Sequence, residues 1–299
     1  MPDETPSRPD TAALRRGVLA ASVLDDIDVE PRDDAVLLPG VPPVGVPWAD
    51  LAAAVGGCEP TSPVGRARIG SLLRLLRLVA DLGPAAPEAL RSGAVPLALP
   101  RGHALHPGPA WVQARVPGGV LDLGVGVRVD PDQVPGGAHN RDGDRVAAPD
   151  LALVGPVEPL PEAVARACGA RPADWWPDLQ ARAEEMGALT AGRLARDGGG
   201  EARGHDVLRP VGGCDVLTLL SSGALRSALA LQDGAGMRAV AVPVRHRGWI
   251  DLARIDPAYV ATVWELTGEL ERGVPTPLLV TRDEVCLPAP GGDVARHAI

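Results

Sequence analysis

Residues 205–220 read HDVLRPVGGCDVLTLL, and residues 237–252 read MRAVAVPVRHRGWIDL. The segment Val207–Val211 has the length of a strand and ends at the glycine pair Gly212–Gly213, after which apolar residues recur at helical spacing. The second segment predicts a strand over Arg238–Val244, whose near-continuous apolar run Ala239–Val242 is typical of a strand that is buried on both faces. Together the segments predict strand, glycine turn, helix and strand.

The remaining C-terminal sequence continues this alternation. Helical spacing predicts a helix over Cys214–Leu231 that breaks near Ser222, a second helix over Pro257–Leu270, and a third strand at Leu278–Thr281. Strands that alternate with helices at this spacing favour a parallel sheet with helical crossovers. We therefore expect an α/β fold whose C-terminal half is a β-α-β-α-β unit, with Val207–Val211 and Arg238–Val244 as parallel neighbours.

The N-terminal half mixes helix and strand patterns and predicts an α+β arrangement. Ser62 and Pro63 mark a helix start, and apolar residues then recur at helical spacing until the stop at Gly83-Pro84. Alternating and apolar runs predict strands at Ala35–Leu38 and, among others, at Trp111–Val116. Further along, helical spacing also predicts a long helix over residues 174–196.

Changes in composition divide the chain into four parts. We expect a disordered tail at 1–12, an α+β region at 13–129, a linker or insertion at 130–161 and an α/β region at 162–299. The third part is rich in Pro, Gly and Asp and has little periodicity, which is unusual inside a compact domain.

Composition and charge exclude several kinds of function. All 29 basic residues are Arg, so Schiff-base chemistry on lysine and a P-loop lysine are excluded. The net charge of −9 argues against a nucleic-acid partner and against an anionic membrane surface. No segment has the length and apolarity of a membrane span, no signal pattern is found, and the four cysteines are far apart, so we expect a reduced, cytoplasmic protein.

Cys214 and His246 are the candidates for catalysis. Cys214 follows two glycines at a predicted helix start, where the helix dipole would stabilise a thiolate, and His205 or His246 could act as its base. The alternative is that Cys214 is a small buried hydrophobe. No serine-hydrolase elbow or dinucleotide-binding glycine turn is found. Whether the protein is an enzyme therefore stays open, and the sequence indicates no particular cofactor.

The same two segments predict an anion site. In a right-handed β-α-β unit the loops that follow parallel strands meet at the carboxyl edge of the sheet, where ligands bind. The groups expected there are arginine side chains, a glycine turn before a helix, and one tryptophan: Arg209, Gly212, Gly213, Arg245, Arg247 and Trp249. The alternative is that these arginines pair with aspartates close in sequence, namely Asp206, Asp215, Asp251 and Asp256.

Other patterns have simpler explanations. The pair His103 and His106 has metal-ligand spacing but lies among prolines, and Asn140–Asp144 resembles the start of a calcium loop without its closing Glu, so no metal site is predicted. Trp175-Trp176 could form an aromatic platform or pack in the core. We expect a protein that binds a small anionic or phosphorylated metabolite. The alternative is a non-catalytic interaction protein that uses the helix near Ile69 or a tryptophan surface.

Overall fold

The computed structural model describes residues 11–128, 157–197, 207–232, 235–250, 255–269 and 271–288. The chain forms two compact units. The first unit comprises Met1–Ala94, Ala104–Trp111 and Gly126–Trp175, and the second comprises Val95–His103, Val112–Val125 and Trp176–Ile299. Most of the expected tail and linker lies outside the described residues, so the four-part division stays a prediction.

The elements are numbered in chain order. The helices are α1 (Thr11–Leu24), α2 (Trp48–Val55), α3 (Pro63–Leu82), α4 (Ala86–Ser92), α5 (Glu162–Cys168), α6 (Pro172–Asp197), α7 (Val216–Leu219), α8 (Gly223–Leu231) and α9 (Pro257–Leu266). The strands are β1 (Glu30–Pro31), β2 (Ala35–Leu38), β3 (Val44–Pro47), β4 (Ala94–Pro100), β5 (Ala114–Arg115), β6 (Leu121–Arg128), β7 (Val157–Pro159), β8 (Val207–Leu208), β9 (Met237–Val244), β10 (Arg247–Trp249), β11 (Leu278–Thr281) and β12 (Val285–Cys286). Within this part of the chain, none of the helices combines the length and apolarity needed to cross a bilayer.

Helix α3 is the core of the first unit. It begins where the sequence predicts, because the Ser62 hydroxyl accepts a hydrogen bond from the Gly65 amide at 3.1 Å and Pro63 occupies the first helical position. Half of its residues are buried, including Ile69 and Leu76, and it packs against α1, α2, α4 and α5. The apolar side of α3, which predicted the helix, therefore faces other elements of its own unit.

A partly buried ion network holds α3 in place. Glu158, on β7, is 4% exposed and accepts hydrogen bonds from the Ser71 hydroxyl and from Arg74 Nε, the latter at 2.8 Å. Arg74 Nη1 also donates to Asp25 Oδ2 at 2.8 Å, just beyond the end of α1. The two ion pairs of Arg74 thus join α3 to β7 and to the segment that follows α1.

The first two sheets are small. Strands β1, β2 and β3 form one antiparallel sheet. Strands β4, β6 and β5 form another, in which β7 also pairs with β6, and the recorded β5–β6 and β6–β7 pairings are antiparallel. The strand expected over Trp111–Val116 is reduced to Ala114–Arg115, since Trp111 ends a short 3-10 turn.

The third sheet corrects the expected topology. Its order is β12-β11-β9-β10-β8, and every neighbouring pair is antiparallel. The prediction of a parallel C-terminal sheet, with Val207–Val211 beside Arg238–Val244, is therefore wrong. The physical reason is β10, which turns back along β9 after only Arg245 and His246 and occupies the position expected for the first strand. A two-residue connection suffices for an antiparallel pair, whereas a parallel pair requires a long crossover.

Strand β9 is buried on both faces, as its apolar run predicts. On one face, Val240 and Val242 belong to the larger core cluster, which also contains residues of α7 and α8. On the other face, Ala239 and Ala241 pack with Trp249, Ile255 and Val260. Helices thus cover both sides of an antiparallel sheet.

Three predicted helices differ at their ends. The expected helix over Cys214–Leu231 is two helices, α7 and α8, because Ser222 caps the start of α8 through the Leu225 amide. Helix α9 ends four residues earlier than expected, at Leu266, where the carbonyl groups of Trp264 and Thr267 accept hydrogen bonds from Arg272. The long helix expected over residues 174–196 begins two residues earlier, as α6, which places Pro177 inside it.

Candidate anion-binding surface

The antiparallel sheet brings the ends of β8 and β9 to the same edge. Each strand pairs antiparallel with β10, so the two run in the same direction although β10 separates them. Arg209 follows the end of β8, Arg245 follows the end of β9, and Arg247 begins β10. The three arginines that the sequence singled out therefore lie at one edge of the sheet, through a topology that differs from the expected one.

Arg209 and Arg247 lie one position beyond the last residue pair of β8 and β10. The register pairs Trp249 with Val207 and Gly248 with Leu208, and its continuation by one residue places Arg247 opposite Arg209. Both arginines are exposed. Within the described parts of the chain, neither side chain makes an ion pair or a hydrogen bond. Two like charges directly opposite each other on paired strands disfavour folding, unless a counter-charge is supplied.

Arg245 has a different environment. Its side chain is buried, and both Nε and Nη2 donate to Asp215 Oδ2, at 2.8 Å and 2.6 Å. The other oxygen of Asp215 accepts a hydrogen bond from the Thr218 amide at 2.8 Å and caps α7. For Arg245, the geometry therefore matches the alternative in which a nearby aspartate is the partner.

Gly212 and Gly213 form a hairpin turn. Their φ angles are 58° and 86°, and the flanking residues Val211 and Cys214 exchange two backbone hydrogen bonds of 3.1 Å and 2.9 Å. Positive φ at both central residues is the requirement of a type I′ turn, which explains the glycine pair. The Gly212 carbonyl accepts from Arg182 Nη2 at 2.7 Å. This turn does not itself begin a helix, and the N-terminus of α7 is occupied by the Asp215 carboxylate.

The two candidates for catalysis lie in contrasting environments. Cys214 has no exposed surface and belongs to the larger core cluster, two residues before α7 begins. His246 is exposed in the turn between β9 and β10. His205, the other possible base, lies outside the described residues. In this arrangement the Cys214 thiol is closed to solvent, as expected of a packing residue.

Trp249 is a largely buried residue on the same strand as Arg247. It is 7% exposed and lies two residues from Arg247, which places both side chains on the same face of β10. Its ring contacts Tyr259 of α9 edge to face, with the ring centroids 6.2 Å apart. Tyr259, which the sequence reasoning missed, is 40% exposed. Its signal was the helix start at Asp256-Pro257, which places Tyr259 in the first turn of α9.

Among the described residues, the remaining sequence patterns form no further site. His103 Nε2 lies 3.0 Å from the Arg272 carbonyl oxygen, and in the first unit the ring of His106 packs edge to face against Trp111. Trp175 and Trp176 are half-buried. Within the described residues, no three His, Cys, Asp or Glu side chains are grouped as a metal site would require. The Asn140–Asp144 segment lies outside them.

Comparison of the chain with protein-family models, with curated proteins and with solved structures found no match.

Proposed function

We propose that the protein binds a small anionic group, such as a phosphate, through Arg209 and Arg247 at the edge of the antiparallel sheet. The supporting observation is that these two exposed arginines lie directly beyond the last β8–β10 residue pair and have no carboxylate partner in the described residues. An anion between them would replace mutual repulsion by charge-assisted hydrogen bonds. This positive pair belongs to a chain whose net charge is −9.

The dimensions of an antiparallel pair suit a single small anion. Opposite residues have Cα atoms about 4.5 to 5.5 Å apart, so two guanidinium groups can converge on one phosphate or carboxylate. Arginine presents planar pairs of N–H donors that match the oxygen geometry of both anions. The partly exposed ring of Tyr259, held by Trp249, offers an apolar contact for the rest of the metabolite.

The other candidate residues have supporting roles in this proposal. Arg245 holds Asp215, and Gly212 and Gly213 shape the hairpin turn, so none of the three is expected to contact the anion directly. The alternative of an interaction protein that uses the helix near Ile69 has less support, because α3 buries its apolar side within the first unit.

The test is a thermal-shift and calorimetric titration with phosphate, pyrophosphate, nucleotides and sugar phosphates. A ligand at a hundredfold excess over its dissociation constant stabilises the folded state by about 2.7 kcal/mol. We expect Arg209→Ala/Arg247→Ala to abolish the rise in Tm that the anion produces. Arg193→Ala, which removes an exposed arginine of the same unit on α6, should retain that rise.

The unliganded variants provide a second measurement. Because the pair is repulsive, Arg247→Ala alone should leave the free energy of unfolding unchanged or raise it by up to about 1 kcal/mol. The proposal fails if no anion raises the Tm of the wild-type protein, or if the double variant keeps the full shift. A loss of stability in the unliganded double variant would instead assign the two arginines to the fold.

A further inference from the structure

Helix α1 has an apolar side that faces solvent. Its inner side is buried and includes Leu14 and Val18, which pack in the first unit. On the opposite side, Leu19 is 46% exposed, Val23 is 80% exposed and Leu24 is 73% exposed. Ala20 is also exposed, and these positions follow the i, i+1, i+4, i+5 spacing of one helical face. We call these four residues the α1 patch.

An exposed charged side chain lies at each end of the α1 patch. Arg16 is exposed one turn before Leu19. At the other end, the Ile27 amide donates to the Ser22 carbonyl at 2.8 Å, and Asp26 has a φ of 53°, which together form a Schellman-type helix stop. Neither Arg16 nor Asp26 has an ion pair or a hydrogen bond in the part of the chain that the structure describes.

The position of Asp26 is electrostatically unfavourable in a single copy. A carboxylate beside the C-terminus of a helix is near the negative end of the helix dipole. A cation supplied from outside would therefore stabilise it. In an antiparallel helix pair the N-terminal half of one helix lies beside the C-terminal end of the other, and Arg16 belongs to that N-terminal half.

We propose that the α1 patch is a contact between two copies of this chain, in which the two α1 helices pack antiparallel about a two-fold axis. One register brings an apolar pair and the two charges together. When Leu19 lies opposite the partner's Val23, Arg16, one turn before Leu19, lies beside the C-terminal end of the partner's α1, and Asp26 follows that end by two residues. Ala20, near the axis, allows the helices to approach to about 8 Å.

A second copy fits the patch because the patch is self-complementary. A two-fold contact uses the same surface on both copies, so that surface must contain both members of each pair. The α1 patch supplies its own apolar partners, and Arg16 and Asp26 at its ends supply both charges. The contact is formed by one helix from each copy, so it is smaller than the standard interface of about 800 Å² per partner, and the dimer should be weak and concentration-dependent.

The test is sedimentation of the full chain over a wide concentration range. We expect a monomer–dimer equilibrium that Val23→Glu and Arg16→Glu each weaken by about tenfold or more, which is a loss of about 1.4 kcal/mol. Asp26→Asn, which suits the left-handed backbone at that position, should weaken it as well. Arg91→Glu, at an exposed position on α4, should leave it unchanged.

The charge pairing has a sharper test in mixtures. Arg16→Glu and Asp26→Arg should each be monomeric alone, because their homodimers oppose like charges. An equimolar mixture should form a heterodimer, because both ion pairs are then restored. One is the native pair, and in the other the two charges have exchanged positions. Circular dichroism of each variant checks that it is folded.

Three outcomes would overturn the proposal. A wild-type chain that stays monomeric at millimolar concentration means that another part of the chain, or a different protein, covers the patch. A dimer that survives Val23→Glu uses another surface. A mixture that stays monomeric, when Val23→Glu has abolished a wild-type dimer, excludes the proposed register.

Discussion

Asp215 and Arg245 form an ion pair in which one carboxylate oxygen binds the arginine and the other caps a helix. Oδ2 accepts from the Arg245 guanidinium at 2.6 Å and 2.8 Å, and Oδ1 accepts from the Thr218 amide at 2.8 Å. The side chains are only 9% and 13% exposed. Since Arg245 directly follows β9 and Asp215 caps α7, the pair fixes the start of this helix to the end of the strand.

Removal of the Asp215 carboxylate should destabilise the protein strongly. Loss of one partner from a buried ion pair costs about 3 to 5 kcal/mol. We expect Asp215→Ala to lower the free energy of unfolding in urea by about that amount. Asp215→Asn should cost less, because the amide oxygen still caps α7, a contribution of about 1 kcal/mol. Asp178→Ala, at an exposed position on α6, is the control, and an equal effect of the two alanine variants would contradict the prediction.

A second prediction concerns Glu158 and Arg74. Burial by itself would lower the pKa of Arg74, but the charges and hydrogen bonds of Glu158 and Asp25 outweigh it and raise the pKa above its usual value. Glu158→Ala would remove the buried partner of Arg74 and of Ser71, while Arg74, one third exposed, keeps its pair with Asp25, so we expect a loss of about 1 to 3 kcal/mol in the free energy of unfolding. Glu158→Gln should lose less, because it can still accept from Ser71. Arg77→Ala, which breaks the more exposed pair with Asp81, should cost under about 1 kcal/mol.

Local signals predicted individual elements well. Helix α3 has the predicted start because Ser62 and Pro63 act within one turn of the chain, and no distant contact is needed to place it. Strands β2 and β11 have the predicted bounds, Ala35–Leu38 and Leu278–Thr281. Each consists of adjacent apolar residues next to a clear stop.

The direction of the C-terminal sheet could not be predicted in the same way. It depends on β10, whose three residues Arg247, Gly248 and Trp249 lack the apolar alternation of a strand. Pairing with β8 and β9 makes this segment a strand, and pairing is a tertiary property. The same limit applies to the arginines. The sequence places Asp215 near both Arg209 and Arg245, and only the folded arrangement selects Arg245.

A third prediction concerns the cysteines. Burial raises the pKa of the Cys168 thiol, and burial together with the charge of Glu284 raises that of Cys286. A raised pKa reduces the thiolate fraction at a given pH, so iodoacetamide should label both residues more slowly in the folded protein than in urea at about pH 7.5. The folded-state rate should increase as the pH rises toward about 10.

Cys214 gives the contrasting result in the same experiment. Because it has no exposed surface, we expect its labelling only after unfolding, at any pH that leaves the protein folded. Peptide mapping by mass spectrometry distinguishes the sites. Rapid labelling of Cys214 well below pH 8 would instead identify an activated thiolate and return it to the candidates for catalysis.

The last prediction tests the strand order itself through Gly248. A Cβ added at this position would lie 2.8 Å from Val216 Cγ1 and 3.3 Å from Leu208 Cβ. Gly248→Ala should therefore cost about 1 to 3 kcal/mol through overpacking. Val216→Ala removes the obstructing methyl groups, so the double variant should be more stable than the sum of the single effects predicts, a coupling measured by a double-mutant cycle in urea. Gly268→Ala, where an added Cβ meets nothing within 4 Å, should have little effect. If Gly248→Ala is equally harmless, β10 does not pack against α7 between β9 and β8, and the antiparallel order of this sheet is wrong.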